Sequence, residues 1–141
     1  MIRPAAESDL PHLRAIQRVS LAEPWDGLLE PAVVGPPVVL VVTDHATSEP
    51  VGYAVAIPDD DGAYLAEIAV APDHRGEGNG SRLLEALCDR LAVEGFETVR
   101  LTVREGDERA RSFYADHGFS VQSRLPEHYE DDDGLVMARD S

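Results

Sequence analysis

Apolar positions in the first 37 residues recur with two different periods. A short run over Ile2–Pro4 predicts a first strand. Leucine and isoleucine then repeat at helical spacing over residues 10–20, which predicts a helix, with Ser8 or Asp9 as its cap. Four prolines interrupt residues 21–37, so we expect only a short helix and a loop there.

Three apolar runs dominate the next part of the chain and predict strands. Val38–Thr43 and Val51–Ile57 are rich in β-branched side chains, and the residues between them favour a turn. A third run, Ala63–Val70, follows the predicted turn Asp59–Gly62. Because the connections are short, the three runs predict an antiparallel meander.

The remaining sequence predicts two helices and three strands. Leucines recur at helical spacing from Leu83 to Leu91, and Gly95 stands where a left-handed residue commonly ends a helix. The other predicted elements are a strand over 98–103, a helix over 107–117, and strands over 119–124 and 134–138. Helices fall before and between the strands, which predicts an α+β fold in one domain, residues 1–141. We expect a mixed, mostly antiparallel sheet of about six to seven strands with about four helices on its faces.

The charge balance of the chain is strongly acidic. There are 27 acidic and 12 basic residues, all 12 of them arginine, and the formal net charge is −15. This balance argues against nucleic acid as a partner. It fits either attraction of a cationic amine substrate or the acidic surface expected in a high-salt, halophilic cytoplasm. Because the acidic residues are spread along the whole chain, we favour the second interpretation.

Neither a membrane span nor a secretory leader is visible in the sequence. No apolar run approaches 18 residues, and the chain begins without a charged segment followed by an apolar one, so we expect a cytoplasmic protein with no membrane contact. The single cysteine, Cys88, lies on the apolar stripe of a predicted helix and is expected in the core. One cysteine forms no internal disulfide and no cysteine-pair metal site, and we predict no metal.

A glycine-rich stretch, Arg75–Ser81, follows a predicted strand and opens a predicted helix. Its alternating glycines, Gly76, Gly78 and Gly80, are expected to adopt positive φ and to expose backbone N–H groups to a phosphate. A P-loop is excluded because it requires a lysine, and this chain has none. The dinucleotide fingerprint also fails, because Ser81 stands where its last glycine would be.

The pattern Arg-x-x-Gly-x-Gly over residues 75–80 resembles the pyrophosphate loop of the GNAT superfamily of N-acetyltransferases, which bind acetyl-coenzyme A. Residues 107–119 resemble the second signature of that family, Asn-x-x-Ala-x-x-x-Tyr-x-x-x-Gly-Phe. The predicted element order is also similar, so the resemblance covers essentially the entire chain. It implies a GNAT fold and an acetyl-coenzyme A-dependent N-acetyltransferase.

The resemblance implies which residues hold the coenzyme. Loop amides would bind the pyrophosphate, and amides of the strand before the loop would bind the pantetheine arm and the acetyl carbonyl, in a gap where that strand splays from residues 98–103. Asp107 replaces the family's asparagine and either contacts the coenzyme or caps its helix. Glu77 stands where relatives often carry a basic residue, so coenzyme affinity is expected to suffer at low salt. The predicted coenzyme-binding residues are Ile68, Ala69, Val70, Arg75, Gly76, Glu77, Gly78, Asn79, Gly80, Ser81, Asp107, Ala110 and Tyr114.

Two residues are the candidates for catalysis. Tyr114 stands at the family's tyrosine position, and the resemblance implies that its phenol protonates the departing thiolate. Glu67, next to Ile68 on the central strand, is the candidate general base if its side chain lies in a half-buried cleft. His117, His128 and Tyr129 are weaker alternatives to Glu67, and Phe113 is expected to pack in the core.

The acceptor is the most open part of the prediction. Residues 124–137 resemble the C-terminal hairpin of the branch that acetylates ribosomal proteins and other protein N-termini. Trp25, His128 and Tyr129 are the candidate acceptor-binding residues. Small amines remain an alternative acceptor, and a non-catalytic acyl-coenzyme A sensor remains an alternative function. A homodimer is compatible with the sequence, which identifies no interface.

Overall fold

The predicted helices and strands are present in the structure. We describe a computed structural model that covers residues 1–21, 27–35, 38–60 and 62–140. Its helices are α1 (Leu10–Ser20), α2 (Leu29–Val34), α3 (Asn79–Val93) and α4 (Glu108–Asp116). Its strands are β1 (Ile2–Pro4), β2 (Val38–Thr43), β3 (Pro50–Asp59), β4 (Gly62–Val70), β5 (Thr98–Arg104), β6 (Ser120–Leu125) and β7 (Gly134–Asp140).

The seven strands form one sheet in the order β1-β2-β3-β4-β5-β7-β6. Every neighbouring pair is antiparallel except β4 and β5, which are parallel. These two central strands pair only where Ala63 faces Val99 and Tyr64 faces Arg100. Beyond Tyr64 they separate, which confirms the predicted gap at the middle of the sheet.

Helices cover both faces of the sheet and bury two apolar clusters. On one face, α3 and α4 pack over the larger cluster, which includes Leu83, Leu87, Leu101 and Tyr114. On the other face, α1 and α2 pack over a smaller cluster that includes Leu13 and Tyr53. None of the helices in the described ranges has both the length and the apolar character that a membrane span requires.

A β-bulge in β4 determines which face each half of this strand presents. Val55 of β3 pairs with Glu67 and Ala56 pairs with Leu65, so Ala66 has no partner opposite it. Leu65 packs in the cluster under α3, whereas Ala66 packs against the cluster under α1. The extra residue therefore turns Glu67 away from the core under α3 and toward α1.

Two ionisable side chains, Asp9 and Cys88, are buried near the apolar clusters. Asp9 precedes α1 as predicted, but its carboxylate accepts hydrogen bonds from the Ala6 N–H at 2.8 Å and from the Arg3 guanidinium at 2.7 and 2.9 Å, rather than from the first turn of α1. The Arg3 bond lowers the pKa of Asp9. Cys88 is buried as predicted, and this burial raises the pKa of its thiol to about 11.

Candidate functional site

Three connected depressions cross the molecule where β4 and β5 separate. We call them the loop pocket, of about 260 Å³, the central groove, of about 480 Å³, and the strand cleft, of about 290 Å³. The loop pocket and the groove share Val70, Arg75, Gly80, Arg109 and Phe113 in their walls. The groove and the cleft share Leu21, Ile68 and Tyr114. One continuous path therefore joins the glycine-rich loop to the gap between the strands.

The glycine-rich loop forms the walls of the loop pocket and leads into α3. Gly76 and Gly78 have φ of 78° and 80°, the left-handed conformation expected from the sequence. Gly80 was expected to share it but does not, because α3 already begins at Asn79. The Gly80 Cα instead lies beside the Phe113 ring, which an added Cβ would approach to 3.6 Å. The first backbone N–H groups of α3 face this pocket without partners inside the helix.

The side chain of Asn79 stabilises the loop through hydrogen bonds to neighbouring residues. It is buried, and its Nδ2 donates to the His74 carbonyl at 3.1 Å and to Glu77 Oε1 at 3.4 Å. Its Oδ1 accepts a hydrogen bond from Arg82. The Nδ2 bond holds the Glu77 carboxylate against the loop itself, and Glu77, which was predicted to bind the coenzyme, does not line the loop pocket.

Two arginines place positive charge along the path. Arg75 lines both the loop pocket and the groove, and its Nε donates to the Val70 carbonyl at 3.1 Å. Arg109 lines the same two depressions from α4. Sequence reasoning missed Arg109, although it stands four residues before Phe113 and therefore on the same helix face. An anionic ligand in the loop pocket would meet both guanidinium groups.

Helix α4 forms one wall of the central groove. Asp107 caps this helix, because its Oδ1 accepts from the Ala110 N–H at 3.0 Å, and both residues also line the groove. Phe113 packs against the larger apolar cluster, as expected, and this half-buried residue also lines the groove and the loop pocket. A flat aromatic surface therefore lies beside the predicted coenzyme path.

Tyr114 lies where the central groove meets the strand cleft. Its ring is 9% exposed and makes edge contacts with Phe113 and Phe119 at centroid distances of 5.2 and 5.6 Å. Among the described residues, its hydroxyl has no hydrogen-bond partner. Burial is the main cause that raises the pKa of Tyr114, so the phenol keeps its proton at neutral pH. A protonated phenol therefore lies at the junction of the two depressions.

Glu67 lies in the strand cleft with a buried carboxylate. Its Oε1 accepts hydrogen bonds from the Tyr53 hydroxyl at 2.8 Å and from Gln17 Nε2 at 2.9 Å. Burial and the nearby carboxylate raise the pKa of Tyr53, which therefore remains a donor. The side chain points to the face opposite Ile68, as the strand alternation predicted. Gln17 and Tyr53 were not among the predicted site residues, since the Gln17 contact depends on how α1 packs and the Tyr53 contact on how β3 pairs with β4.

The predicted acceptor residues fall in different places. Tyr129 lines the strand cleft, and the Arg104 guanidinium lies 4.7 Å from its ring centroid. Tyr64 lines the cleft as well and donates to Thr102 Oγ1 at 3.0 Å. His128 is exposed and does not line the cleft. Trp25 lies outside the described residues.

Comparisons with known proteins agree with this architecture. The family model described as Acetyltransferase (GNAT) family matches residues 6–119. The ribosomal protein bS18 alanine N-acetyltransferase of Escherichia coli strain K12 is 38% identical over 82 residues, which cover 55% of this chain and 55% of that protein. This chain thus spans about half the length of the curated relatives it matches.

Solved structures share the fold over almost the whole chain. The crystal structure of the corresponding ribosomal-protein alanine N-acetyltransferase from Escherichia coli has a TM-score of 0.88 and 28% identity, covering 99% of this chain and 92% of the other. A GNAT family acetyltransferase from Elizabethkingia anophelis with acetyl-CoA bound has a TM-score of 0.84 and 15% identity, covering 100% and 97%. The second similarity concerns the fold alone.

Proposed function

The chain belongs to the acetyltransferase (GNAT) family, and on this premise we propose that it transfers an acetyl group from acetyl-coenzyme A to a primary amine, by direct attack in a ternary complex. One observation carries the proposal. The loop pocket, the groove and the cleft form one path, with Tyr114 at the last junction and the Glu67 carboxylate at its end.

The three depressions can hold successive parts of acetyl-coenzyme A, from the pyrophosphate to the acetyl group. Backbone N–H groups at the start of α3 would hold the pyrophosphate, helped by Arg75 and Arg109. The pantetheine arm would lie in the central groove along Ile68–Val70, where β4 has parted from β5 and an extended ligand can bond to its edge. The acetyl group would then lie at the entrance to the strand cleft.

The chemistry needs a base and an acid on opposite sides of the thioester. Glu67 takes one proton from the acceptor ammonium, and the free amine attacks the thioester carbon. A C–N bond forms and the C–S bond breaks. Tyr114 donates its hydroxyl proton to the departing thiolate and is reprotonated by the second amine proton, so the products are an amide, a thiol and one proton. The role of Tyr114 is supported by its position at the junction of the groove and the cleft, where its phenol is protonated at neutral pH.

We propose a protein or peptide N-terminus as the acceptor. The support comes from the relative named as an alanine N-acetyltransferase of a ribosomal protein. The strand cleft also offers two tyrosines, Tyr64 and Tyr129, to the first residues of a peptide. The acidic turn Glu130–Asp133 lies between β6 and β7, next to Tyr129, and its charge attracts a cationic N-terminus.

The test is a thiol-release assay on the purified chain with acetyl-coenzyme A. The acceptors are short peptides that begin with alanine, the same peptides with a blocked N-terminus, and small amines including a polyamine. Transfer to the free peptides and not to the blocked ones supports the proposal. Preferred transfer to a small amine would show that the acceptor is a small amine and not a peptide N-terminus. Coenzyme binding that raises the melting temperature without any transfer would identify a sensor instead.

Glu67→Gln tests the base. We expect it to lower kcat by about 100-fold to 1,000-fold while the Kd for acetyl-coenzyme A stays unchanged. Glu97→Gln, at an exposed position between α3 and β5, is the matched control and should leave both unchanged. Equal activity of the Glu67 variant and the control would remove Glu67 from the mechanism.

Salt dependence separates the two interpretations of the acidity. If the acidic surface steers the acceptor, KM for a cationic peptide rises steadily with salt, because screening weakens the attraction. If the acidic surface reflects adaptation to salt, the melting temperature rises toward molar salt and KM for the peptide does not rise. A small amine whose ammonium form is already deprotonated at the assay pH, and which is therefore uncharged, is the control acceptor for the KM measurement.

A further inference from the structure

A chain of polar side chains lies directly behind the loop pocket. His117, which follows α4, places its Nε2 3.0 Å from Ser81 Oγ and its Nδ1 2.5 Å from Glu85 Oε2. Ser81 lines the loop pocket. His117 is not part of the pocket wall, and its side chain is only 15% exposed. His117 therefore acts on this pocket through the hydroxyl of Ser81.

Glu85 determines which His117 nitrogen carries a proton. Arg139 of β7 donates to both oxygens of Glu85, at 3.1 and 3.3 Å, and also to the His117 carbonyl at 2.7 Å. The Arg139 bond, followed by the His117 bond, lowers the pKa of Glu85. An ionised carboxylate only accepts hydrogen bonds, so the Nδ1 that faces it is protonated whether the ring is neutral or charged.

The charge of the ring then decides which way the Ser81 hydroxyl points. In neutral His117, Nε2 is an acceptor, so the Ser81 proton points to the ring and only oxygen lone pairs face the pocket. Those lone pairs repel a phosphate oxygen. In the imidazolium form, Nε2–H donates to Ser81 Oγ, and the hydroxyl proton is free to bond to an anion in the pocket.

We propose that His117 is a positioning residue for coenzyme binding, whose protonation turns the Ser81 hydroxyl toward the pyrophosphate and couples binding to uptake of a proton. This role of His117 rests on the proposed function, because it takes the loop pocket as the pyrophosphate site. The charged groups that face His117 are Glu85 of α3 and Arg139 of β7, and Cys88 and Asp89 of α3 lie near Arg139. Since the protonated form binds better, affinity is highest at acidic pH and falls as the pH rises.

Calorimetry on the full chain tests this coupling. Coenzyme A carries a phosphate monoester that itself titrates near about pH 6, so the probe is dephospho-coenzyme A, which keeps only the fully ionised pyrophosphate. Titrations in buffers of different ionisation enthalpy, between about pH 5.5 and about pH 8.5, measure the protons taken up. We expect the Kd to rise about tenfold across the range, with a proton uptake that reaches a maximum of about half a proton between the two ends and is small at both ends.

Two variants connect the effect to this pair. Ser81→Ala removes the hydroxyl and leaves His117 in place, and His117→Gln removes the titrating ring. Both should abolish most of the proton uptake, and Ser81→Ala should weaken binding about threefold to tenfold at the acidic end and little at the alkaline end. If the His117→Gln variant does not fold, the proton uptake of the Ser81→Ala variant alone tests the proposal.

The outcomes separate this assignment from the proposed function. Wild-type binding without proton uptake, or uptake that persists in the Ser81 variant, overturns the role of His117 and leaves the acetyltransferase proposal standing. No binding of either acetyl-coenzyme A or dephospho-coenzyme A overturns both.

Discussion

The Tyr53 hydroxyl donates a hydrogen bond of 2.8 Å to the Glu67 carboxylate from the neighbouring strand. Tyr53 is fully buried and lies two positions from Val55, the residue that pairs with Glu67 across the sheet. Because the same carboxylate oxygen also accepts from Gln17, two donors hold the proposed base in one orientation. An oriented carboxylate loses little freedom when it takes a proton from an amine.

Tyr53→Phe should lower activity through the orientation of Glu67. The variant keeps the buried ring and removes one of the two donors that orient the carboxylate. We expect kcat to fall about tenfold while the Kd for acetyl-coenzyme A stays unchanged. Steady-state kinetics and calorimetry would measure these two quantities. A loss of coenzyme binding that accompanies the loss of kcat would indicate damage to the fold instead.

Tyr114→Phe should slow the departure of the thiolate. The variant retains the ring contacts with Phe113 and Phe119, and we expect kcat to fall about 10-fold to 100-fold while the melting temperature changes little. In the wild type, the raised pKa of Tyr114 means that this residue causes no loss of activity below about pH 10. Tyr64→Phe is the comparison variant: Tyr64 lines the cleft and not the groove, so its loss should raise KM for the acceptor and leave kcat unchanged. Equal effects of the two variants on kcat would contradict the role of Tyr114.

Gly78→Ala should weaken coenzyme binding beyond its effect on stability. A residue with a Cβ is strained at φ of 80°, and the new Cβ would lie 3.3 Å from Arg82 Nη1. Gly95→Ala is the matched control, because Gly95 has φ of 92° with no atom near its added Cβ and lies at the other end of α3. Both variants should lose about 1 kcal/mol of unfolding free energy. Only Gly78→Ala should raise the Kd for acetyl-coenzyme A, as measured by calorimetry.

Asp9→Asn should destabilise the fold in a pH-dependent way. The folded-state pKa of Asp9 is lowered, so its stabilising effect is present above the unfolded pKa of about 4 and is lost as the pH falls through the folded-state value. At neutral pH we expect a loss of about 1–3 kcal/mol, which shrinks at about pH 3. Urea denaturation at both pH values would show this. Asp140→Asn, at an exposed position on β7, should change the unfolding free energy by less than about 0.5 kcal/mol.

The elements and the loop were predictable because their signals are local. Apolar periodicity marked each strand and helix to within a few residues, and the alternating glycines marked the start of α3. Gly80 shows the limit of this reasoning, because its place in the glycine pattern suggested a positive φ that the helix start does not require. Phe113 shows another limit, since a partly apolar helix face can line a groove as well as a core.

The sequence by itself determined the type of fold, and it predicted a phosphate-binding loop and two candidate catalytic residues, because each of these depends on residue type and short-range spacing. Only the tertiary structure decided what those residues contact. The unpaired Ala66 in β4 turns Glu67 toward α1, and strand packing places Tyr53 against it. The contact between His117 and Ser81 joins residues 36 positions apart. Such contacts depend on how elements that are far apart in the sequence pack together, and no local pattern in the chain specifies that packing.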